Sequence, residues 1–132
     1  MGEWHFSEHF TAAAQSFEKK IRAAQIAIFV EECLPRLRDT ARTCGYTLAI
    51  HGSLCRDLDI VAVPWVNRAV SKDELLTHLA STCRDLTGWG IIHSNDWVEK
   101  PHGRMATTII AASDVHLDLS VMPLLVEEEE GE

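Results

Sequence analysis

The chain opens on a helical rhythm. Residues 11–42 are rich in Ala, Gln, Glu, Lys and Leu. Ile21, Gln25, Ile28, Phe29 and Glu32 recur at about 3.6 residues, the spacing of one helical face. Pro35 should end or kink this helix one turn early, leaving a short second segment, 36–43, that Gly45 closes. Residues 46–50 form a short β-rich run with His51-Gly52-Ser53 as its turn. Residues 58–63 predict a second strand, stopped by Pro64. Ser71 followed by Glu74 is a capping box, and Leu75, Leu76, Leu79 and Cys83 give the helix it opens an apolar face. Gly88-Trp89-Gly90 breaks that helix. Residues 91–93 and 97–98 are short strand candidates, whereas 104–112 and 115–122 are longer and meet in a hairpin at Ser113-Asp114. The order α-β-β-α-β-β predicts an α/β (α+β) domain: a small mixed sheet of four to five strands with helices packed on one side. Residues 1–126 make one domain, with a helical segment at 11–43 and a core at 46–123. Residues 127–132 read as an acidic, disordered tail.

Charge narrows the range of partners. The 132 residues carry 20 acidic and 12 basic side chains, a formal net charge of −8. A surface that grips duplex DNA normally presents a basic patch, so this balance argues against one. A nucleotide remains compatible, because a divalent cation can carry its phosphate charge. Cys33, Cys44, Cys55 and Cys83 form no C-x-x-C pair, which argues against zinc knuckles and thioredoxin-like sites. With no basic-then-apolar leader, they read as reduced thiols of a cytoplasmic protein. No apolar run reaches transmembrane length. Met1-Gly2 lacks the Ser or Thr that myristoylation expects, since Phe6 stands at that position.

The candidate chemistry lies in the aspartates. Asp57 and Asp59 share one face if their strand begins at Asp57. Neighbouring carboxylates repel each other, and Leu58, Ile60, Val61, Ala62 and Val63 offer them no partner. A hard divalent cation such as Mg²⁺ or Mn²⁺ resolves this. In 116–120, His116, Asp118 and Ser120 share one face while Leu117, Leu119 and Val121 share the other. Plainer roles exist: Asp57 as a turn cap paired with Arg56, and Asp118 as a solvated strand residue. His51 and His116 could join the aspartates around Zn²⁺, Mn²⁺ or Fe²⁺ for hydrolysis, or be ordinary surface or core histidines. In Pro101-His102-Gly103-Arg104, Arg104 could reach a phosphate and His102 could serve a proton transfer, or the four could form a simple β-turn. Trp65, Trp89 and Trp97 lack the basic interleaving of a base-stacking platform and read as core or rim residues.

His51-Gly52-Ser53, then Asp57-Leu58-Asp59, then Leu117-Asp118-Leu119 resembles the three-part signature of polymerase-beta-like nucleotidyltransferases. The resemblance implies that fold, with Gly52 and Ser53 as phosphate contacts and Asp57, Asp59 and Asp118 as catalytic ligands of Mg²⁺ or Mn²⁺. The activity it implies is transfer of a nucleoside monophosphate from a nucleoside triphosphate to an acceptor hydroxyl on a protein, RNA or small molecule. Members of that superfamily place about ten residues between Gly-Ser and the acids, including a short helix that faces the phosphates. Here only Leu54, Cys55 and Arg56 intervene, and Arg56 would stand in for that helix end or neutralise the acids. The span 46–123 is also similar to small proteins of bacteriophages and their hosts. This admits a second expectation, a degenerate core that binds a host protein as an accessory factor.

Overall fold

The computed structural model describes residues 8–54, 56–94 and 96–125. Elements follow in the order α1 (Glu8–Cys44), β1 (Tyr46–His51), β2 (Leu58–Pro64), α2 (Lys72–Thr87), β3 (Ile91–Ile92), β4 (Val98–Glu99), β5 (Met105–Ala112) and β6 (Val115–Val121). The sheet runs β1-β2-β6-β5-β3, and β4 takes a second stretch of the same β5 edge. Every pairing is antiparallel except β2 with β6, which is parallel. The mixed sheet with helices on one side is as expected, with six strands in place of four to five.

Alternation along the strands builds the core. Tyr46 and Leu48, Leu58, Ile60 and Ala62, Ile109 and Ala111, and Leu117, Leu119 and Val121 all bury on one face. Both helices cover that face. α2 contributes Leu75, Leu76, Leu79, Ala80 and Cys83, and α1 contributes Ile26, Phe29, Leu34, Leu37 and Ala41. The capping box forms, with the Glu74 amide donating to Ser71 Oγ at 3.2 Å. Gly88, in the left-handed region, ends α2 by donating its amide to the Arg84 carbonyl at 2.9 Å. No helix among the described residues is long and apolar enough to cross a membrane.

Several expectations are corrected. Pro35 neither ends nor splits α1, which runs on to Cys44. Leu34 and Leu37 on either side of it are buried, and their packing outweighs the one backbone hydrogen bond that proline forfeits. The helical stripe also divides: Phe29 is buried, whereas Ile21 and Ile28 are 41% and 60% exposed. β2 begins at Leu58, so Asp57 falls in the bend before it. Cys33, Cys44 and Cys83 are free and buried, and burial pushes the Cys83 thiol up to about 12. The expectations for Met1-Gly2, Cys55 and the 127–132 tail fall outside the described residues.

The β5–β6 hairpin holds an irregularity. Ile110 pairs with His116 but Ala112 pairs with Val115, leaving Ala111 as an extra residue on β5. The carbonyl of this buried alanine accepts from the Thr87 hydroxyl at 2.6 Å, at the end of α2. Thr87 Oγ1 also lies 2.9 Å from the Cys83 carbonyl. Its single proton is better used at the shorter contact.

Two stability predictions follow from these placements. Thr87→Val keeps the shape but leaves the Ala111 carbonyl unsatisfied, and should cost about 1–3 kcal/mol in denaturant unfolding. Pro35 is exposed, so Pro35→Ala changes little but the backbone. It should stabilise the protein by about 1–3 kcal/mol in the same measurement.

Candidate active site on the open face of the sheet

The face of the sheet away from the helices carries a row of four polar side chains, set by register alone. His51 on β1 pairs with Asp59 on β2, Asp59 pairs with Asp118 on β6, and Asp118 pairs with Thr108 on β5. Residues in register on adjacent strands project to the same side, a strand spacing of about 4.8 Å apart. The two carboxylates sit between inward-facing apolar neighbours: Leu58 and Ile60 flank Asp59, and Leu117 and Leu119 flank Asp118. Burying those neighbours obliges the two carboxylates to face outward side by side.

A cleft of about 530 Å³ lies over this row. His51, Asp59, Asp118, Thr108 and Ser120 line it from the sheet. Its other wall is the segment joining α2 to β5, through His93, Ser94, Asp96, Lys100 and Arg104. That wall is fastened to β5. The His93 amide donates to the Thr108 carbonyl at 3.0 Å, and the Thr107 hydroxyl donates to the Ser94 carbonyl at 3.1 Å. Further along, Trp97 Nε1 donates to Asp73 Oδ1 at 2.8 Å, and Lys72 stands 5.4 Å from the centre of the Trp97 ring. Trp97 therefore clamps the wall to the start of α2, while Trp65 and Trp89 are 55% and 39% exposed.

The electrostatics follow from that crowding. Burial pushes the Asp118 carboxyl above its ordinary range; a hydrogen bond from Thr108 Oγ1 to Asp118 Oδ1 (3.0 Å) opposes this, and neighbouring Asp59 adds to it. His116 pulls weakly the other way. Asp59 abuts the backbone of Gly52. With φ +88°, Gly52 brings its backbone so close that a Cβ there would stand 2.6 Å from Asp59 Oδ2.

Two of the three aspartates singled out in the sequence, Asp59 and Asp118, come together, and Arg104 and His51 line the same cleft. Asp57, Gly52, Ser53 and Arg56 are not among the residues that line it. Among the described residues, no three His, Cys, Asp or Glu side chains gather closely enough to hold a metal ion. Pro101–Gly103 forms a short 3₁₀ turn with His102 in the left-handed region. Arg104 Nε donates back to the Pro101 carbonyl at 3.2 Å, and His116 is exposed beside the row. Sequence reasoning missed Thr108, Lys100, His93 and Ser94. Thr108 is one of two adjacent threonines, and nothing local marks which of them faces Asp118.

Asp118 has a pH signature. Its folded pKa is raised, so its protonated form is the one that folding favours. In metal-free protein this contribution is full below its unfolded pKa of about 4 and is lost as pH rises through the higher folded value. Asp118→Asn should therefore raise the melting temperature at pH 7 and leave it nearly unchanged at pH 3. Melting curves of the two proteins across that range check it.

No family model matches the chain, and no curated protein matches it. Among solved structures, the Cid1 poly(U) polymerase with MgGTP bound is similar at 15% identity and a TM-score of 0.40. The match covers 81% of this chain and 32% of that one, so the chain spans about a third of that polymerase. A likeness this distant carries no weight on activity.

Proposed function

We propose that this chain transfers a nucleoside monophosphate from a nucleoside triphosphate to an acceptor hydroxyl, using a divalent cation. The observation that carries the reading is the in-register pair Asp59 and Asp118 in the floor of a cleft whose opposite wall supplies Lys100 and Arg104. Two adjacent carboxylates with no cation beside them repel each other. Mg²⁺ is commonly bound by one or two carboxylates together with substrate phosphates, so the pair fits such an ion. Bound there, Mg²⁺ or Mn²⁺ supplies charge to the phosphates and polarises the reacting oxygens.

The remaining roles belong to the protein. Lys100 and Arg104 draw the triphosphate into the cleft and offset its charge. Gly52, Ser53 and Arg56, on the loop that borders Asp59, are assigned the phosphates at the rim. Asp57, two residues before Asp59, is assigned to a second ion. The acceptor oxygen attacks the α-phosphorus, a new P–O bond forms, and the bond to the bridging oxygen breaks to release pyrophosphate. Asp118 takes the hydroxyl proton. Thr108 holds the Asp118 carboxylate in position.

A second reading is a degenerate core that serves as a binding module for a host protein. It is favoured by the position of Asp57 in the bend before β2, outside the cleft lining.

Metal response and transfer separate the two readings. Millimolar Mg²⁺ or Mn²⁺ should raise the melting temperature of the native protein by mass action, and Asp59→Asn or Asp118→Asn should abolish that response. With labelled nucleoside triphosphate, metal and cell extract, either variant should lower transfer by at least about a hundredfold. A protein that neither responds to metal nor binds any nucleoside triphosphate by calorimetry would be the binding module.

A further inference from the structure

Helix α1 carries two apolar stripes on opposite sides, and the protein's own core covers only one. The buried stripe begins at Ile26 and continues through Phe29, Leu34, Leu37 and Ala41. The other is Ala14, Phe17, Ile21, Ala24 and Ile28, all exposed, with Phe17 64% and Ile28 60% accessible. Ile28 lies two residues from Ile26, about 200° around the helix, so the second stripe points away from the core. Its spacing alternates three and four residues, the pattern of a helix–helix seam. Continued toward the N-terminus, the core-facing side becomes polar at Gln15, Ser16, Lys19 and Arg22. Among the described residues nothing covers the apolar face of the first half of α1, and an uncovered helix of that length is marginal in water.

We infer that this face pairs α1 with α1 of a second copy, antiparallel, about a two-fold axis between residues 22 and 23. That register sets Ile21 against Ala24 and Phe17 against Ile28, so each large side chain meets either a small one or a hollow. The hollow exists. A largely apolar groove of about 230 Å³ beside Ile28 is lined by Phe29, Cys33, Ala112 and Val115 and can receive the partner's Phe17 ring. Glu18 falls opposite Gln25, whose side-chain amide donates to Asp114 at 3.4 Å, and Lys20 falls opposite Ala27. The antiparallel arrangement also keeps the two folded bodies at opposite ends of the seam, behind the paired faces. Two copies presenting the same patch satisfy a closed two-fold interface. A seam this short falls at the low end of specific interfaces, below about 1,200 Å², so the dimer dissociates as concentration drops through the micromolar range.

Analytical ultracentrifugation of the full chain tests this. The native protein should convert from monomer to dimer with rising concentration. Phe17→Glu and Ile21→Glu should each weaken association at least about tenfold while keeping the far-UV spectrum of the folded monomer. Orientation is tested with residues outside the central contacts. Ala14→Cys protein mixed with Glu31→Cys protein should form a mixed disulfide under mild oxidation, whereas Ala14→Cys alone should not. A native protein that stays monomeric at every concentration would overturn the inference, as would a monomer that binds anionic vesicles through Phe17. An efficient Ala14→Cys self-disulfide would overturn the antiparallel pairing.

Discussion

The parallel pairing of β2 with β6 governs the rest of the molecule. Leu58, Ile60 and Ala62 on one strand and Leu117, Leu119 and Val121 on the other must all face the helices. The register that achieves this leaves Asp59 beside Asp118 with no freedom to avoid it. Hydrophobic burial, the largest favourable contribution to folding, here enforces an electrostatic conflict on the opposite face. Among the described contacts, two features soften it. Thr108 donates to one carboxylate, and the second wall of the cleft brings two cationic side chains to its lining.

The loop after β1 shows how closely the conflict is managed. Gly52 lets the chain turn directly against the Asp59 carboxylate. Two residues later Leu54 adopts φ 60°, which costs a residue with a Cβ about 1–2 kcal/mol. Leu54 packs against the core, and that contact holds the strained turn in place. Backbone strain of this kind gathers at functional sites, where surrounding packing over-determines the geometry. The strain borders the carboxylate pair here, on the loop that follows His51.

Much of this was legible in the sequence because it depends on short periods. Alternation in 58–63 and 115–122 gave two strands with one apolar face each, and Ser71 with Glu74 marked the start of α2. What escaped depends on contacts across the fold. Pro35 looked like a stop because its cost is local, whereas the burial of Leu34 and Leu37 that outweighs it is not. Asp57 looked like a strand residue because its spacing from Asp59 is right, yet the ladder opens only where Leu58 has a partner in Leu117. The rhythm through Ile21, Ile28 and Phe29 was read as one stripe. Only the position of the sheet shows that it belongs to two.

The extra residue at Ala111 lies three positions from Thr108 and seven from Asp118, and takes no part in the site. Were the bulge flattened with every residue kept, the hairpin turn would set Ile109, not Thr108, opposite Asp118. The last member of the polar row would be aliphatic, and the carboxylate would lose its only hydroxyl donor among the described contacts. A one-residue shift of register at the hairpin would thus rewrite the chemistry of a face that Ala111 never touches, whereas deleting Ala111 itself would leave Thr108 opposite Asp118. The Thr87 hydroxyl that satisfies the Ala111 carbonyl therefore acts as a register pin, coupling the end of a helix on one face of the sheet to the identity of the residue beside Asp118 on the other.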